Sequence, residues 1–324
     1  MEIEIVAAES LGVRSLCCIV RMPERTILID PGIALGYTRF HLLPHPLQVA
    51  VDERIQKRMI HAWATATDIV ISHFHGDHVP LTNANPYQLN LGKVASLNPH
   101  AAIWVKSSPL SPTEAKRSSA LAGAVNNQII AAEGKSDTVM RFSQPVPHGK
   151  AEGLEKVIMT RIEGDFTFVH ASDIQLLNSE AISQIISWRP DIVLASGPPL
   201  YLHKLSETDV ENAWQNALLL SKNVSTVILD HHLLRSLDGA AWLDRVNSKT
   251  PGKVICGADF MGKPRMLLEA LRPQLYEEIH VPGDWHDSYA LGRARTDFYW
   301  HKAHQLYATN GVDHYRWVYE AGPS

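Results

Sequence analysis

The chain has 324 residues, a formal net charge of −4 and 45% hydrophobic residues, which suits one large domain or two small ones around a buried core. The mild charge, without a long run of one sign, argues against a protein whose main role is non-specific nucleic-acid binding. No apolar run approaches the ~20 residues of a membrane-spanning helix, and the first residues lack a signal-peptide pattern. We therefore expect a soluble, cytoplasmic protein in which Cys17, Cys18 and Cys256 are buried, reduced thiols.

The first third of the chain predicts strands followed by a helix. Three short apolar runs predict strands at 3–10, 15–22 and 25–32, and the third ends in the turn signal Asp30-Pro31-Gly32. Residues 46–68 have apolar residues at helical spacing and no internal proline or glycine, which indicates a helix. Residues 68–72 then predict a short buried strand, because four or five apolar residues suit a strand better than a helix.

The rest of the chain alternates between strands and helices. Ser111, Pro112 and Glu114 form a capping-box signature, and we expect the helix that they begin to continue to residue 134. Further predicted elements are strands at 101–107, 138–143, 189–199, 224–230 and 253–259, a hairpin at 156–173 that turns at Glu163-Gly164-Asp165, and helices at 206–222, from 238 and at 264–272. Strands that first dominate and then alternate with helices favour a sandwich of two sheets with helices outside.

The chemistry is concentrated in residues 69–78, IVISHFHGDH, at the end of a predicted strand. His73 and His75 alternate across Phe74, so in extended backbone their side chains point the same way. Asp77 and His78 follow a glycine that allows a sharp turn towards the same pocket. Imidazoles with a carboxylate suit zinc and similar metals, and one zinc ion needs about four ligands. The cluster alone is therefore one ligand short for a first metal and two short for a second.

Further histidines and aspartates follow predicted strands downstream. They are His148, Asp173, Asp230, His231 and His232. His148 completes a site with His73 and His75 in this interpretation. Asp77, His78 and either His231 or His232 hold a second metal, and Asp173 bridges the two.

The signature His73-x-His75-x-Asp77-His78, with Asp30 upstream and His148, Asp173 and His231/His232 downstream, resembles the metallo-β-lactamase superfamily. The segments VHASD, SGPPLYL and LDHHLLR are most similar to a subfamily of predicted metal-dependent hydrolases common in archaea, whose members are poorly characterised. The resemblance implies the α/β class, as an αββα sandwich of two mixed sheets flanked by helices. We expect a single domain over 1–324, with an insertion around 79–147 and a C-terminal helical extension around 280–324 that closes the core or forms a cap or partner surface.

The resemblance also implies two divalent metal ions, zinc with manganese or iron as alternatives, and a water or hydroxide between them that attacks the substrate. His231, which directly follows the strand, is the favoured ligand of the doublet. Asp77 and His232 are the proposed catalytic residues, and His232 orients substrate or donates a proton to the leaving group. Asp30 and Asp230 are expected to support the ligands. The candidate substrate-binding residues are Lys150, Tyr201, Lys204 and Arg235.

A metal-dependent hydrolase of an anionic ester or phosphodiester is the leading functional hypothesis. A small-molecule lactonase or thioesterase is the alternative of the same fold, and a di-iron redox protein or a non-catalytic metal-binding protein is the alternative of another class. Nucleic acid remains a possible substrate that the net charge does not favour. No membrane partner is expected, and a homo-oligomer stays open.

Overall fold

Two six-stranded β-sheets face each other and carry helices on their outer faces. The computed structural model describes residues 1–150, 155–202 and 204–308. The strands are β1 (Glu2–Ala8), β2 (Leu16–Arg21), β3 (Thr26–Ile29), β4 (Asp68–Ile71), β5 (Ala102–Val105), β6 (Ile129–Ala131), β7 (Met140–Phe142), β8 (Val146–Pro147), β9 (Lys156–Val157), β10 (Thr160–Glu163), β11 (Thr167–His170), β12 (Ile192–Ala195), β13 (Thr226–Leu229) and β14 (Val254–Ile255). The α-helices are α1 (Pro46–Thr65), α2 (Pro112–Ala124), α3 (Ser179–Ser187), α4 (Glu207–Asn223), α5 (Leu237–Lys249), α6 (Gly257–Phe260), α7 (Arg272–Glu278), α8 (Trp285–Ala290) and α9 (Asp297–Ala308).

Both large sheets are mixed. The first has the order β1-β2-β3-β4-β5-β6, antiparallel up to β3 and parallel from β3 onwards. The second has the order β14-β13-β12-β11-β10-β7, parallel from β11 to β14 and antiparallel at β10 and β7. The small β8–β9 pair is separate. The carboxyl ends of the parallel strands are where ligands bind in open α/β sheets.

The side-chain alternation of the strands defines the layers. In β2, Cys18 and Val20 face the second sheet, whereas Cys17 and Ile19 face the opposite way and pack in the cluster that includes α1. Helices α3, α4 and α5 contribute buried residues to the cluster of the second sheet. The order is therefore helix, sheet, sheet, helix, which confirms the predicted αββα sandwich. The three cysteines are buried and free, also as predicted.

Two predicted helices are wrong in extent or place. The helix that begins at the Ser111 cap, where the predicted capping box is present, ends at Ala124 and not at residue 134. The Asn127 amide then donates to the carbonyl oxygens of Asn98 and Ala101 at 2.7 and 2.8 Å, which fixes the chain as it enters β6. The stretch 264–272 is not helical before Arg272, because the Met266 N–H donates to the Ser10 carbonyl at 2.7 Å and holds extended backbone.

Helix α3, a short helix whose Ala181, Ile182 and Ile185 are buried, was not predicted from the sequence. Residues 79–147 supply β5 and β6 to the first sheet and β7 to the second. The segment from 280 onwards contains α8 and α9, and α9 packs on α1 through Arg54, which contacts Asp297 and the Trp300 ring. Residues 309–324 of the predicted extension lie outside the described residues. Among the described helices, none combines the length and the apolar character needed to cross a membrane.

Candidate metal centre

The candidate ligands lie where parallel strands of the two sheets end. Asp30 follows β3, the IVISHFHGDH cluster follows β4, Asp173 follows β11, and His231 follows β13. Three residues in these turns adopt positive φ angles that are uncommon for residues other than glycine: Asp30 (49°), Ser172 (50°) and His231 (48°). Such backbone conformations cost ~1–3 kcal/mol each and concentrate at functional sites. Their shared position at this edge marks it as the candidate site.

The Asp173 carboxylate is at the centre of the cluster and is only 1% exposed. Five histidine side chains approach it. The distances are 3.3 Å from Oδ2 to His73 Nε2, 3.8 Å from Oδ2 to His75 Nδ1, 3.1 Å from Oδ1 to His78 Nε2, 3.5 Å from Oδ1 to His231 Nε2 and 3.2 Å from Oδ2 to His232 Nε2. Oδ2 thus faces His73 and His75, and Oδ1 faces His78 and His231, as a bridging carboxylate would.

The geometry of these atoms fits divalent metal ions. Ligands at ~2.0–2.2 Å from a tetrahedral metal lie ~3.3–3.5 Å from one another. Around Asp77, the Oδ2–His231 Nε2 distance is 3.3 Å, and the His78 Nε2–His231 Nε2 distance is also 3.3 Å. Among the described residues, His73 Nε2 and Asp173 Oδ1 are buried and have no hydrogen-bond partner apart from the contacts between Asp173 and the histidines themselves. Buried polar atoms are normally satisfied, so these two atoms point to an ion that the protein residues do not supply.

Asp30 sets the tautomers of two of these histidines. It accepts from Ser72 N–H at 2.8 Å, from Ser72 Oγ at 2.7 Å, from Ser172 Oγ at 2.8 Å and from His78 Nδ1 at 2.9 Å. Because Ser72 Oγ donates to Asp30, it accepts the Nδ1 proton of His73 at 2.9 Å. When these two rings are neutral, the Nε2 lone pair of each is therefore directed to a metal, which is how a supporting carboxylate prepares histidine ligands.

His148 lies on the outer side of the cluster. Its ring is 5.8 Å from that of His75 and 6.4 Å from that of His73, between centroids. The Gln175 amide contacts its Nδ1 at 3.1 Å and orients the ring. Its Nε2 contacts the Glu155 carboxylate at 3.0 Å, and ligand atoms of His75, His148 and Glu155 come within 4.8 Å of one another. His148 is therefore placed beside His73 and His75, with Glu155 as an additional acidic group.

The two histidines of the doublet occupy different environments. His231 Nε2 lies with Asp77 and His78 in one group of possible ligands. His232 Nδ1 contacts the Tyr201 hydroxyl at 3.1 Å, and its Nε2 contacts Asp173. The geometry favours His231 as the ligand that accompanies Asp77 and His78.

Metal binding requires charged carboxylates and neutral imidazoles, and in the metal-free protein the cluster meets the first requirement and only part of the second. Burial lowers the pKa of His73 to about 3, reinforced by the neighbouring His78 and His75. Burial alone would raise the pKa of Asp173, but the surrounding histidines, His78 first, hold it well below its usual range. Burial likewise opposes the charged form of His78, yet Asp173 and Asp30 on either side raise its pKa well above the ordinary value. A divalent cation would satisfy the same carboxylates in place of that proton.

The remaining predicted residues lie around this cluster. Asp230 accepts from the backbone N–H groups of Ser10, His231 and Gly257 at 3.0, 2.7 and 2.8 Å, so it holds the backbone of the His231 turn and not an imidazole. Lys150 pairs with Asp209 at 2.6 Å. Arg235 is buried behind the ligands, where it contacts Asp77 and Glu9.

A cleft of about 590 Å³ opens next to the cluster. His75, His148 and His232 form its floor. Its walls include the cations of Lys150 and Lys204 and an apolar side formed by Leu177, Pro199, Leu202 and Leu205. Lys204 forms no ion pair with any residue of the described ranges. The lining of the cleft therefore combines two lysine cations, the Glu155 carboxylate and apolar side chains.

Five residues of the site were not identified from the sequence: Ser72, Glu155, Ser172, Gln175 and Glu9. Ser72 and Ser172 could have been found, because each stands in a turn directly beside a predicted ligand at a strand end. Glu9, Glu155 and Gln175 carry no local signal, since only the packing of distant segments brings them to the ligands.

An αββα sandwich with the His73-x-His75-x-Asp77-His78 motif at the edge of its paired sheets defines a metallo-β-lactamase-fold protein. More narrowly, the chain belongs to the UPF0282 family. It is 46% identical over 303 residues to the UPF0282 protein of Methanosarcina mazei, and this alignment covers 92% of this chain and 99% of the relative. It is 33% identical to the UPF0282 protein of Methanopyrus kandleri, over 86% of this chain and 100% of that protein. No family model matches the chain.

Solved structures align with the chain at low identity. The metallo-β-lactamase fold protein YhfI from Bacillus subtilis aligns with a TM-score of 0.49 and 11% identity, over 78% of this chain and 95% of that one. A diphosphatase from the PhnP family aligns with a TM-score of 0.45 and 12% identity, over 78% of this chain and 92% of that one.

Proposed function

We propose that the protein is a metal-dependent hydrolase with two divalent metal ions, zinc foremost. The observation that carries the proposal is the central Asp173, whose two oxygens face two separate sets of histidine nitrogens. Within the described part of the chain, Oδ1 and His73 Nε2 have no hydrogen-bond partner outside this cluster. His73, His75 and His148 would hold one ion, and Asp77, His78 and His231 the other. The ions, when bound, would acidify a water molecule and offset the negative charge that develops on the reacting oxygens.

The protein residues prepare the site through fixed hydrogen bonds. Asp30 and Ser72 keep the protons of His78 and His73 on Nδ1, so both Nε2 atoms face Asp173. Gln175 orients the His148 ring. Because these contacts exist before any substrate arrives, little reorganisation is required during the reaction.

His232 is the proposed proton donor to the leaving group. Arg235 Nη1 donates to the Tyr201 hydroxyl at 3.3 Å, and this hydroxyl in turn donates to His232 Nδ1 at 3.1 Å. His232 consequently carries its own proton on Nε2, next to Asp173 at 3.2 Å and on the floor of the cleft. Because burial lowers the pKa of His232 to about 4, the ring is neutral. It can give the Nε2 proton to a leaving alkoxide while its Nδ1 takes the Tyr201 hydroxyl proton, and Arg235 offsets the charge left on the Tyr201 oxygen.

The cleft supports an anionic substrate with an apolar part. Lys204 has no ionic partner among the described residues, so its charge is available to a phosphate or carboxylate. The leucine and proline side of the cleft would contact an apolar portion of the substrate. An anionic ester or a phosphodiester has both features, and a neutral lactone would leave the lysine charge unused.

The test is a substrate panel with protein reconstituted with Zn²⁺, Mn²⁺ or Fe²⁺. We expect turnover of bis-p-nitrophenyl phosphate or RNA, with lower activity on thioesters and lactones. Asp173→Asn should reduce kcat by about 100-fold or more, since loss of a residue that only supports a ligand already costs ~10–100-fold. His61→Asn, which removes an exposed histidine of α1, is the matched control and should leave kcat unchanged.

The panel also distinguishes the alternatives. No turnover of any substrate by metal-loaded protein would refute the hydrolase proposal. Two equivalents of iron with a visible absorption band and no turnover would favour redox chemistry. For the role of His232, the His232→Asn variant should retain its metal content and lose more activity on RNA than on the p-nitrophenyl ester, because an alkoxide leaving group needs a proton more than nitrophenolate does.

A further inference from the structure

The Arg235 guanidinium occupies an unusual position among the candidate ligands of the second metal. It is 6% exposed and lies at the end of the short 3-10 turn Leu233–Arg235 that follows the histidine doublet. Its Nη2 is 3.0 Å from Asp77 Oδ2 and 2.6 Å from His231 Nε2. Asp77 Oδ2 and His231 Nε2, which accept these hydrogen bonds, are also ligand atoms that the second metal ion would require.

A neutral imidazole has one nitrogen lone pair, and that pair can accept one hydrogen bond or bind one metal ion. At His231 Nε2 the guanidinium and a metal ion are therefore mutually exclusive. Asp77 differs, because a carboxylate has about four acceptor positions and can accept from Arg235 while another position binds a metal. The conflict between cation and guanidinium is thus located at one atom, His231 Nε2.

The guanidinium is held in place by contacts on its other side. Its Nε donates to Glu9 Oε1 at 3.0 Å, and its Nη1 donates to the Tyr201 hydroxyl. The Arg235 carbonyl accepts from Arg39 Nη2 at 2.8 Å, which also fixes the backbone. Since Arginine stays charged in proteins, no change of pH within the working range removes this competitor.

We propose that Arg235 is a positioning residue that aligns Asp77 and His231 in the metal-free protein and competes with the second metal for His231 Nε2. The two positions consequently fill in order. The set of His73, His75 and His148 has no guanidinium contact in the described residues and binds its ion first, whereas the second ion must displace Nη2 from His231. This inference rests on the metal centre of the proposed function, but it does not depend on which reaction the centre performs.

Calorimetric titration of metal-free protein with Zn²⁺, checked by elemental analysis after dialysis, tests the proposal. We expect two equivalents in the wild type, with the second at least about tenfold weaker than the first. Arg235→Met, which keeps the length of the side chain but removes its charge and donors, should tighten the second equivalent by about tenfold or more. The first equivalent should not change.

Two further variants separate competition from a general effect of charge. Arg14→Met removes a nearby cation that pairs with Glu269 and has no described contact with Asp77, His231 or Arg235, and both binding constants should stay at the wild-type values. Arg235→Lys keeps a cation at the site, and the second equivalent should remain weak, at or near its wild-type constant.

A second equivalent that is unchanged or weaker in Arg235→Met would overturn the proposal, as would two equal constants in the wild type. If Arg235→Met does not fold, because Glu9 loses its partner, the double variant Glu9→Gln/Arg235→Met removes the stranded charge, and the wild-type order remains decisive. Two ordered constants without turnover would refute only the hydrolase function. Turnover with equal constants would refute only the competition, and a protein that binds no zinc would refute both.

Discussion

Asp30→Asn is the sharpest perturbation of the site that leaves every candidate ligand in place. Asp30 is fully buried and accepts four hydrogen bonds, from Ser72 N–H, Ser72 Oγ, Ser172 Oγ and His78 Nδ1. An asparagine of the same shape loses the charge and replaces one acceptor oxygen by an NH₂ group. At least one of the donors then faces another donor, so the rings of His73 and His78 lose their fixed tautomers.

The size of the effect follows from the pKa of Asp30. Burial alone would raise this pKa, but His78, through its charge and its hydrogen bond, lowers it to about 2. A carboxyl whose pKa is lowered in the folded state contributes stability that is present above the unfolded value near 3.9 and is lost as the pH falls towards 2. A shift of this size corresponds to roughly 2–3 kcal/mol at pH 7. We therefore expect Asp30→Asn to lower the free energy of unfolding by about 3 kcal/mol and metal affinity by ~10–100-fold.

Urea unfolding in EDTA measures the first quantity, and zinc titration of the folded protein measures the second. Asp68→Asn is the matched control, because Asp68 is a buried carboxylate at the opposite end of β4, bonded to Arg25 and Trp104. This control should lose stability and keep its metal affinity. The reasoning is refuted if Asp30→Asn unfolds within about 1 kcal/mol of the wild type and binds zinc equally well, or if Asp68→Asn loses zinc to the same degree.

Three further outcomes are expected. EDTA should lower the Tm of the metal-loaded protein, because an ion at 100 times its Kd contributes ~2.7 kcal/mol, and an unchanged melting curve would contradict a loaded site. Gly32→Ala should lower the Tm in thermal melts, since a Cβ there would lie 2.1 Å from Val79 N and 2.4 Å from His78 C. A variant with the wild-type Tm would show that this contact relaxes. Burial lowers the pKa of His45, the N-cap of α1, to about 4. Its contribution to the free energy of unfolding is therefore complete above about pH 6.5 and declines towards pH 4. His45→Asn, which caps the helix without titrating, should flatten that decline in urea titrations at several pH values, and an equal slope would contradict this.

The sandwich could be predicted because short apolar runs and capped helices are local properties of a sequence. The two helices predicted wrongly lie where contacts with distant residues determine the backbone conformation. The backbone at Met266 is extended because it bonds to Ser10, more than 250 residues earlier, and the pair Ile129-Ile130 forms a strand because β5 lies beside it. No local pattern contains either partner.

The site divides in the same way. His73, His75, Asp77 and His78 were identifiable from spacing alone, and His148, Asp173 and His231 from their places after strands. The position of Arg235 could not be predicted from the sequence, because an arginine in this loop is equally consistent with binding substrate and with lying behind the ligands. Only the buried contacts with Glu9, Asp77 and His231 distinguish them.

The division of the ligands between the sheets has a consequence for synthesis of the protein. The first sheet is complete at Ala131 and includes His73, His75, Asp77 and His78, whereas Asp173 and His231 belong to the second. At translation rates of ~5–20 residues per second, His231 is added about 5–20 s after the first sheet is complete. For the first ~2–8 s of this interval, until Asp173 is added, the nascent chain carries a cluster of histidines without the carboxylate that joins them. An ion bound that early would be held by only part of the proposed site, which the second half of the chain completes.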